Sequence, residues 1–421
     1  MTLFSIKMKV KNLFFSIILI TLLLINACAS HPINKLETKK VSPKGAILLW
    51  VEMPLGLTEQ QSIYFKDIAN SAIAQFTKLN PGVKISLKFI LHDEQLSKFD
   101  QDIARGAGPD IFSVSLTDDK IPSLINSGYL KNLDKENIDL SKFRPETLKQ
   151  VSYQNQLYAI PVRLGTQVLC YNKNKVQETP KTLDELIIQA RRGYSVGLHS
   201  NFTTAFWGTG AFGGQLFDES GRIILGENQG WVQWMKWLKN AQNEPNVYLI
   251  EDAETLQEAF IQERLTYMTC VSSWLPILSE ALDTNNIGVA LLPGQENQPA
   301  TPPLWTVGLI FNRASSENQH QLALKIAQFL TNTQYQQQLQ VKAPFLIPVN
   351  KNAKVDSSLF PKQAVLFEQS KRGIILSLDQ LEKNKVIFEY GSVLYDQVIA
   401  GEITPEEAAL QIQQAVNNQF D

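Results

Sequence analysis

The sequence predicts an α/β protein built from two lobes, and three observations support this. The chain has 421 residues, of which 44% are hydrophobic and 19% are charged. A chain of this length is too long for one ordinary domain. Strand-like and helix-like stretches alternate from residue 46 onward, as in parallel sheets with helical crossovers. Two strand-like runs, Leu157–Val162 and Val168–Tyr171, are separated only by residues 163–167, which contain few turn-forming residues. We therefore expect the chain to cross here from one lobe to the other.

The first lobe opens with alternating strands and helices. A continuous apolar run indicates a strand buried on both faces, and a helical period after it ends at Asn80-Pro81-Gly82. An apolar and polar alternation of period two then predicts a second strand. The predicted order is strand, helix, strand, helix, strand, over Ala46–Val51, Ile63–Phe76, Val83–Leu91, Leu96–Ile103 and Ile111–Val114.

The last third of the chain contains two further candidate crossings and a final helix. The crossings are Thr306–Phe311 and the extended segment Ala343–Pro348. Thr404 is suited to cap a helix that starts with Pro405 and has acids in its first turn. That helix is expected to dock on the second lobe through Ala408, Ala409, Ile412 and Val416.

These crossings define the expected domain boundaries. Lobe 1 is predicted to contain residues 46–163 and 307–350, and lobe 2 residues 164–306 and 351–421.

The N-terminus has the pattern of an export signal. Three lysines within residues 7–11 precede the uncharged apolar run Leu13–Ile25, which is shorter than the roughly 20 residues that span a bilayer. Ala27-Cys28 follows and resembles the lipobox of bacterial lipoproteins, in which the cysteine is acylated and becomes the mature N-terminus. We expect a signal peptide over 1–27, lipid on Cys28 and a polar tether over 28–45. The alternatives are a plain secretory signal and an uncleaved anchor.

Composition and motifs argue against several classes of function. The formal net charge of −2 gives no reason to expect nucleic acid. The four histidines are far apart in the sequence, and the three cysteines form no metal-binding motif, so we expect no metal. Residues 208–213 match G-x-G-x-x-G but lack the apolar strand that should precede a dinucleotide site. No cofactor is therefore expected.

Seven segments, in order along the chain, resemble motifs of the family-1 extracellular solute-binding proteins, the capture subunits of ABC importers. They are Phe76–Lys84, Gly108–Ile111, Gly128–Asp134, Gln154–Lys173, Pro180–Leu186, Leu256–Trp274 and Ile287–Gly294. This resemblance implies the class II fold of periplasmic binding proteins similar to maltose-binding protein, with the ligand in the cleft between the lobes. It also implies a monomer outside the cytoplasm that captures a sugar or oligosaccharide and delivers it to importer permease subunits.

Two other functions remain open at this stage. A lipid-anchored sensor that docks on a membrane receptor has the same sequence features as a capture subunit. A secreted glycosidase is also possible because its two carboxylates can be distant in sequence. We expect no enzyme, since the chain shows no catalytic motif, and Asp118-Asp119 is typical of a solvated turn.

Candidate ligand-binding residues come from two arguments. Ligands of open α/β sheets bind beyond the carboxyl ends of the strands, which selects Glu52, Ser115, Asp118, Arg163 and Trp274. The resemblance adds Trp207 and Trp305, which lie where the family places ligand contacts.

The same region contains one departure from the family. The resemblance implies that an acid often stands where this chain has Gly165. Arg163 is therefore expected to replace that contact, to indicate an anionic or acid-bearing sugar, or to be a surface residue at a hinge. In contrast to the candidate tryptophans, Trp231, Trp234 and Trp237 are spaced as the buried side of a helix.

Cys170 and Cys270 are the thiols that remain after processing of the signal peptide. Each lies near the end of an apolar run assigned to lobe 2, and an exported protein permits a disulfide. A disulfide and two buried free thiols are both compatible with the sequence.

Overall fold

The computed structural model describes residues 44–53, 59–91, 98–103, 105 and 107–420. The predicted signal peptide, Cys28 and most of the tether lie outside the described residues, as does the start of the helix expected at 96–103.

The strands are close to those that the sequence predicts. Most of the strands are short, and the residues of the candidate site lie at strand ends. They are β1 (Gly45–Met53), β2 (Val83–Leu91), β3 (Ile111–Ser115), β4 (Ser152–Tyr153), β5 (Gln156–Leu157), β6 (Ala159–Gly165), β7 (Gln167–Asn172), β8 (Val196–His199), β9 (Val247–Ile250), β10 (Tyr267–Val271), β11 (Ile287–Ala290), β12 (Trp305–Phe311) and β13 (Ile347–Pro348).

The strands form two larger sheets and the β4–β5 hairpin. One sheet has the order β13-β6-β12-β3-β1-β2, in which β1 is parallel to β2 and β3, and β12 is antiparallel to β3 and β6. The other has the order β11-β7-β10-β8-β9, with β8 parallel to β9 and β10. The predicted fold class, two α/β lobes, is confirmed.

The chain passes from one sheet to the other more than once. β6 and β7 are adjacent in sequence but lie in different sheets, and β11 and β12 also belong to different sheets. After β13 the chain leaves the six-stranded sheet for its C-terminal helices, which pack against a helix of the other lobe. Each sheet therefore contains strands from distant parts of the sequence.

Helices cover both sheets. They are α1 (Glu59–Leu79), α2 (Lys120–Asn126), α3 (Pro145–Leu148), α4 (Leu183–Arg191), α5 (Phe202–Ala205), α6 (Gln229–Ala241), α7 (Ala253–Ile261), α8 (Leu275–Ala281), α9 (Glu317–Thr331), α10 (Thr333–Lys342), α11 (Pro361–Ser370), α12 (Leu381–Ala400) and α13 (Pro405–Phe420), and residues 98–103 are also helical.

The start of α13 is as the sequence predicts. Thr404 accepts a hydrogen bond from Glu407 N through Oγ1 at 3.2 Å, and its own N–H donates to Glu407 Oε2 at 2.8 Å. The four residues expected to dock are buried against the second lobe. α12 and α13 pack together on α6, so the C-terminus completes this core.

The buried face of α1 differs in part from the predicted one. Ile73 and Phe76 are buried, but Ile63 is 52% exposed, while Phe65 lies inside. Ile63, with which the predicted helical period begins, instead lines a cavity together with Leu275 of α8.

A disulfide joins Cys170 of β7 to Cys270 of β10, with 5.9 Å between their Cα atoms. The two strands are antiparallel neighbours, and both sulfur-bearing side chains are buried. The structure therefore decides between the two states that the sequence leaves open.

Candidate functional site

A cavity of about 230 Å³ lies where the two sheets face each other. Glu52, Ser115, Arg163 and Trp305 line it from the six-stranded sheet. Ser272 and Ser273, which directly follow β10, line it from the five-stranded sheet. Four of the seven predicted ligand-binding residues are thus brought together around one cavity.

Strand direction explains why these residues meet. β1, β3 and β6 point the same way, because β1 is parallel to β3 and β12 is antiparallel to both β3 and β6. Their carboxyl ends therefore share one edge, at Glu52, Ser115 and Arg163. Since β12 runs in the opposite direction, its first residue, Trp305, lies at the same edge.

Hydrogen bonds connect the polar residues of this edge. The buried carboxylate of Glu52 accepts a hydrogen bond from Ser115 N through Oε2. Ser115 Oγ lies 2.9 Å from Thr117 Oγ1. The Glu52 side chain is thus held by the end of the neighbouring strand β3 and the Ser115 side chain by the loop after β3, so this part of the site is pre-formed.

Arg163 brings a positive charge to the cavity. Its Cζ lies 5.9 Å from the centre of the Phe65 ring. Burial lowers the pKa of the Arg163 guanidinium, and the negative charge of Glu52 partly offsets this. The group remains cationic at neutral pH, because arginine does not lose its proton in proteins. The cavity therefore offers an anionic acceptor and a cationic donor near each other, which suits polar hydroxyl groups.

Trp305 and Gly165 are paired across β12 and β6. A methyl group at position 165 would lie 2.2 Å from Trp305 Cε2 and 2.3 Å from Nε1. The indole therefore lies directly over Gly165 and occupies the space that a side chain there would fill. At this position the cavity edge is therefore formed by an aromatic face.

The second lobe contributes a turn that is tied to the first crossing. Ser272 N donates to Thr166 O at 2.9 Å, which holds the end of β10 beside the start of β7. The next aromatic residue, Trp274, is partly buried, and its ring centre lies 5.5 Å from that of His199. Trp274 does not line the 230 Å³ cavity but lies one residue beyond Ser273, which does.

His199 supports Trp274 from the end of β8. Its Nε2 lies 2.9 Å from the carbonyl oxygen of Glu251, and its Nδ1 has no hydrogen-bond partner. Burial lowers the pKa of His199, while the hydrogen bond to Glu251 and the charge of Asp252 act in the opposite direction. The neutral ring is therefore favoured at this position.

Trp207 is a core residue, and its prediction as a ligand contact is wrong. Its side chain is only 1% exposed, and its ring centre lies 4.7 Å from that of Trp234. Trp231 and Trp234 are buried in the same core, and Trp237 stacks on Trp234 at 5.0 Å, as the spacing on α6 predicts. Trp207 faces this cluster because it lies in the 3-10 helical segment Phe206–Phe212, which follows α5 and packs on α6.

Asp118 lies in the loop after β3 but does not line the cavity. Its Oδ1 accepts a hydrogen bond from Lys120 N at 2.9 Å, as expected for a turn. The adjacent Asp119 forms an ion pair with Lys385 of α12, with 2.9 Å between Oδ2 and Nζ. This loop therefore connects the two lobes by charge.

Several residues that line the cavity were not predicted. Ser272 and Ser273 follow a predicted strand, so the strand-end rule could have identified them. Phe65 lies on a helix, and its orientation depends on how α1 packs, which the sequence pattern does not reveal. Among the described residues, the additional lining residues are Phe65, Leu164, Gly165, Ser272, Ser273, Val307 and Leu346.

Within the described residues, no group of His, Cys, Asp and Glu is arranged to hold a metal ion. No helix in the described part of the chain combines the length and apolarity needed to cross a membrane.

Comparison with known families gives a clear assignment. Residues 71–366, well over half of the chain, match the model of the bacterial extracellular solute-binding protein family. The chain belongs to this family. Its members are binding proteins, and the family assignment places the protein outside the cytoplasm.

Individual relatives match over shorter stretches. A maltotriose-binding protein of Pyrococcus abyssi is 32% identical over 28% of this chain and 27% of its own length. A galactooligosaccharide-binding protein of Bacillus subtilis is 24% identical over 47% of this chain and 45% of its own length. The alignments thus span less than half of these curated relatives.

The fold similarity extends over almost the whole chain. The GacH receptor of Streptomyces glaucescens, solved unliganded and with acarbose, superimposes with a TM-score of 0.75 at 18% identity. The match covers 89% of this chain and 98% of that one. At this identity the comparison establishes the two-lobed fold.

Proposed function

We propose that this protein captures a sugar or oligosaccharide in the cleft between its lobes and delivers it to an ABC importer. The observation that carries the proposal is the cavity in which Glu52, Arg163 and Trp305 face Ser273 of the other lobe. A carboxylate, a guanidinium and an indole are together suited to a sugar ring, since the charged groups bind hydroxyls and the indole covers the apolar face. The names of the maltotriose-binding and galactooligosaccharide-binding relatives support the same ligand class.

The mechanism follows from the position of the cavity. A ligand that contacts strand ends of one lobe and the Ser272–Trp274 turn of the other stabilises the closed arrangement of the lobes. We propose that the lobes comprise residues 46–163 with 307–350 and residues 164–306 with 351–421. The strands of the two sheets support this division, except that β6 continues to Gly165 and β12 begins at Trp305, so the six-stranded sheet extends two residues past each of these boundaries. The segments between the sheets then act as the hinge. The ligand contacts proposed are Glu52, Ser115, Arg163 and Trp305, with Trp274 closing the site from lobe 2.

The test is calorimetric titration of the protein with glucose, maltose, maltotriose and galacto-oligosaccharides. Micromolar binding corresponds to about −8 kcal/mol. Removing the indole with Trp305→Ala is expected to cost about 1.5 to 3 kcal/mol and so to weaken binding roughly tenfold to a hundredfold. Trp237→Ala is the matched control, because it removes the same side chain far from the cleft. Equal affinities of wild type and Trp305→Ala would exclude this site, and no heat with any of these sugars would exclude the ligand class.

The membrane attachment and the absence of catalysis are also part of the proposal. Lipid on Cys28 would keep the protein at the membrane surface next to the permease, and Cys28→Ser should release it into the soluble fraction. The purified protein should sediment as a monomer and should leave maltotriose and galacto-oligosaccharides intact. Fractionation, sedimentation and product analysis test these three points separately.

A further inference from the structure

A second, larger cavity adjoins the proposed site. This α1–α8 groove has a volume of about 460 Å³ and lies between Tyr64 and Asp67 of α1 on one side and Leu275, Pro276 and Glu280 of α8 on the other. Phe345 and Lys362 close its remaining sides. Since α1 packs on the six-stranded sheet and α8 follows β10, the groove also lies between the lobes.

The groove and the site cavity share a wall. Phe65 and Leu346 line the site cavity, and their chain neighbours Tyr64 and Phe345 line the groove. The ring of Phe345 lies 5.6 Å from that of Phe65 and 6.1 Å from that of Tyr64. On the other lobe, Ser273 and Leu275 are separated by one residue. The two cavities are thus consecutive parts of one cleft.

Size makes the groove relevant to the ligand. Pockets that bury small molecules usually measure about 300–1,000 Å³. The site cavity, at about 230 Å³, is below this range, whereas the groove is twice as large. A ligand longer than one ring therefore needs space beyond the site cavity, and the adjoining groove provides it.

The lining of the groove combines apolar surface with carboxylates, as a sugar ring combines apolar faces with hydroxyl groups. Tyr64, Leu275, Pro276 and Phe345 form apolar surface, and the carboxylates of Asp67 and Glu280 lie beside it. Apolar and aromatic surface covers ring faces, while carboxylates accept hydrogen bonds from hydroxyls.

Tyr64 is held as a rigid part of this surface. Its hydroxyl donates a hydrogen bond to Lys342 O at 2.5 Å, which ties α1 to the end of α10. Burial raises the pKa of Tyr64, so the hydroxyl stays a donor at neutral pH. A ring anchored in this way loses little conformational freedom when a ligand covers it.

Lys362 adds a fixed donor at the far side of the groove. Its Nζ donates to the carbonyl oxygen of Thr284 at 2.6 Å and lies 3.1 Å from Thr284 Oγ1. The ammonium group is thus positioned by α11 and by the segment after α8 rather than free to swing. With two of its protons directed to Thr284, the third is available to a ligand oxygen in the groove.

We propose that the α1–α8 groove binds the second and later rings of the carbohydrate whose first ring occupies the site cavity, so that this protein selects oligosaccharides over monosaccharides. This inference rests on the proposed function. It assigns chain-length selectivity to Tyr64 and α8, and ring recognition to the residues around Trp305.

The test compares affinities across chain length. α-1,4-Glucans and galacto-oligosaccharides of one to four rings are titrated into the full-length protein by calorimetry. In the wild type, affinity is expected to rise from one ring to three. Tyr64→Ala is expected to reduce affinity for three rings about tenfold and to leave the shortest sugar that binds unchanged. Tyr248→Ala, which removes an exposed tyrosine from β9, is the matched control and should change neither.

A second variant tests the groove without removing the anchor of α1. Ser279→Trp on α8 fills the groove and should cause the same selective loss for longer sugars. An equal loss for all chain lengths, or no loss in either variant, would overturn the inference while the proposed function stands. If the wild type binds none of the sugars, both the proposed function and this inference fail.

Discussion

Replacing Gly165 by alanine tests the contact on which the aromatic face of the site depends. The added methyl group would lie 2.2 Å, 2.3 Å and 2.5 Å from three ring atoms of Trp305, well inside van der Waals contact. The backbone itself accepts alanine, because Gly165 is not among the glycines with positive φ. Any destabilisation by the substitution is therefore expected to come from displacement of the indole.

The expected magnitude follows from the cost of overpacking. Adding a methyl group to a filled site typically costs about 1–3 kcal/mol, so Gly165→Ala should lower the free energy of unfolding by about that amount. The affinity for a bound sugar should fall as well, since the ring can no longer lie flat at the cavity edge. In a Trp305→Ala background the clash is absent, and Gly165→Ala should instead stabilise the protein by about 0.4–1 kcal/mol through the unfolded chain.

The assay is urea unfolding of the wild type, both single variants and the double variant. This cycle isolates the interaction between the two positions. The expected result is a change of sign of the Gly165→Ala effect between the two backgrounds. The same destabilisation in both backgrounds would show that the indole is not what Gly165 accommodates, and the description of the site edge would be wrong.

Three further predictions concern the disulfide, a buried histidine and the ion pair between the lobes. Changing Cys170 and Cys270 together to alanine should lower the free energy of unfolding by about 4–5 kcal/mol, because the bond closes a loop of about 100 residues. Urea unfolding without reductant measures this change, and a decrease below about 1 kcal/mol would contradict the prediction. Burial lowers the pKa of His199, so its contribution to stability is complete above the unfolded pKa of about 6.5 and is lost as pH falls toward the lower folded pKa. The free energy of unfolding should therefore fall less between pH 7 and pH 5 in His199→Gln than in the wild type. Equal falls in the two proteins would refute this prediction. Asp119→Asn or Lys385→Gln should change sugar affinity by no more than about fivefold, since the partly exposed ion pair contributes about 0.2–1 kcal/mol. Titration in 1 M salt should abolish the difference in affinity between each variant and the wild type.

Whether the sequence predicts the role of a residue depends on whether that role is set by the local sequence pattern or by tertiary packing. Glu52, Arg163 and Trp305 could be placed because apolar runs mark strand ends, and strand ends meet at one edge of the sheet. Trp207 and Trp274 look alike in sequence, since both lie near element ends. Only packing distinguishes them, because the segment after α5 that contains Trp207 packs on α6 and places this ring in the core.

The same limit applies to pairs of residues. Gly165 could be recognised as a departure from related sequences, but its reason, the indole of Trp305 above it, depends on the register of β12 against β6. The bond between Cys170 and Cys270 depends in the same way on the register of β7 against β10. Phe65 could not be predicted in the same way, because the helical period of α1 begins at Ile63, whereas in the structure Phe65 is buried and Ile63 is exposed.

The position of β12 has a consequence for how the chain matures. β12 lies in the middle of the six-stranded sheet, between β6 and β3, although it is among the last strands to be synthesised. A nascent chain that ends before residue 305 has β1, β2, β3 and β6 but lacks the strand that joins β6 to the others. Long-range pairing of this kind is slow, because distant segments must meet before the sheet is stable. The six-stranded sheet can therefore be completed only after residue 311 has been synthesised, and until then this part of the chain is a suitable substrate for a secretion machinery that threads extended polypeptides.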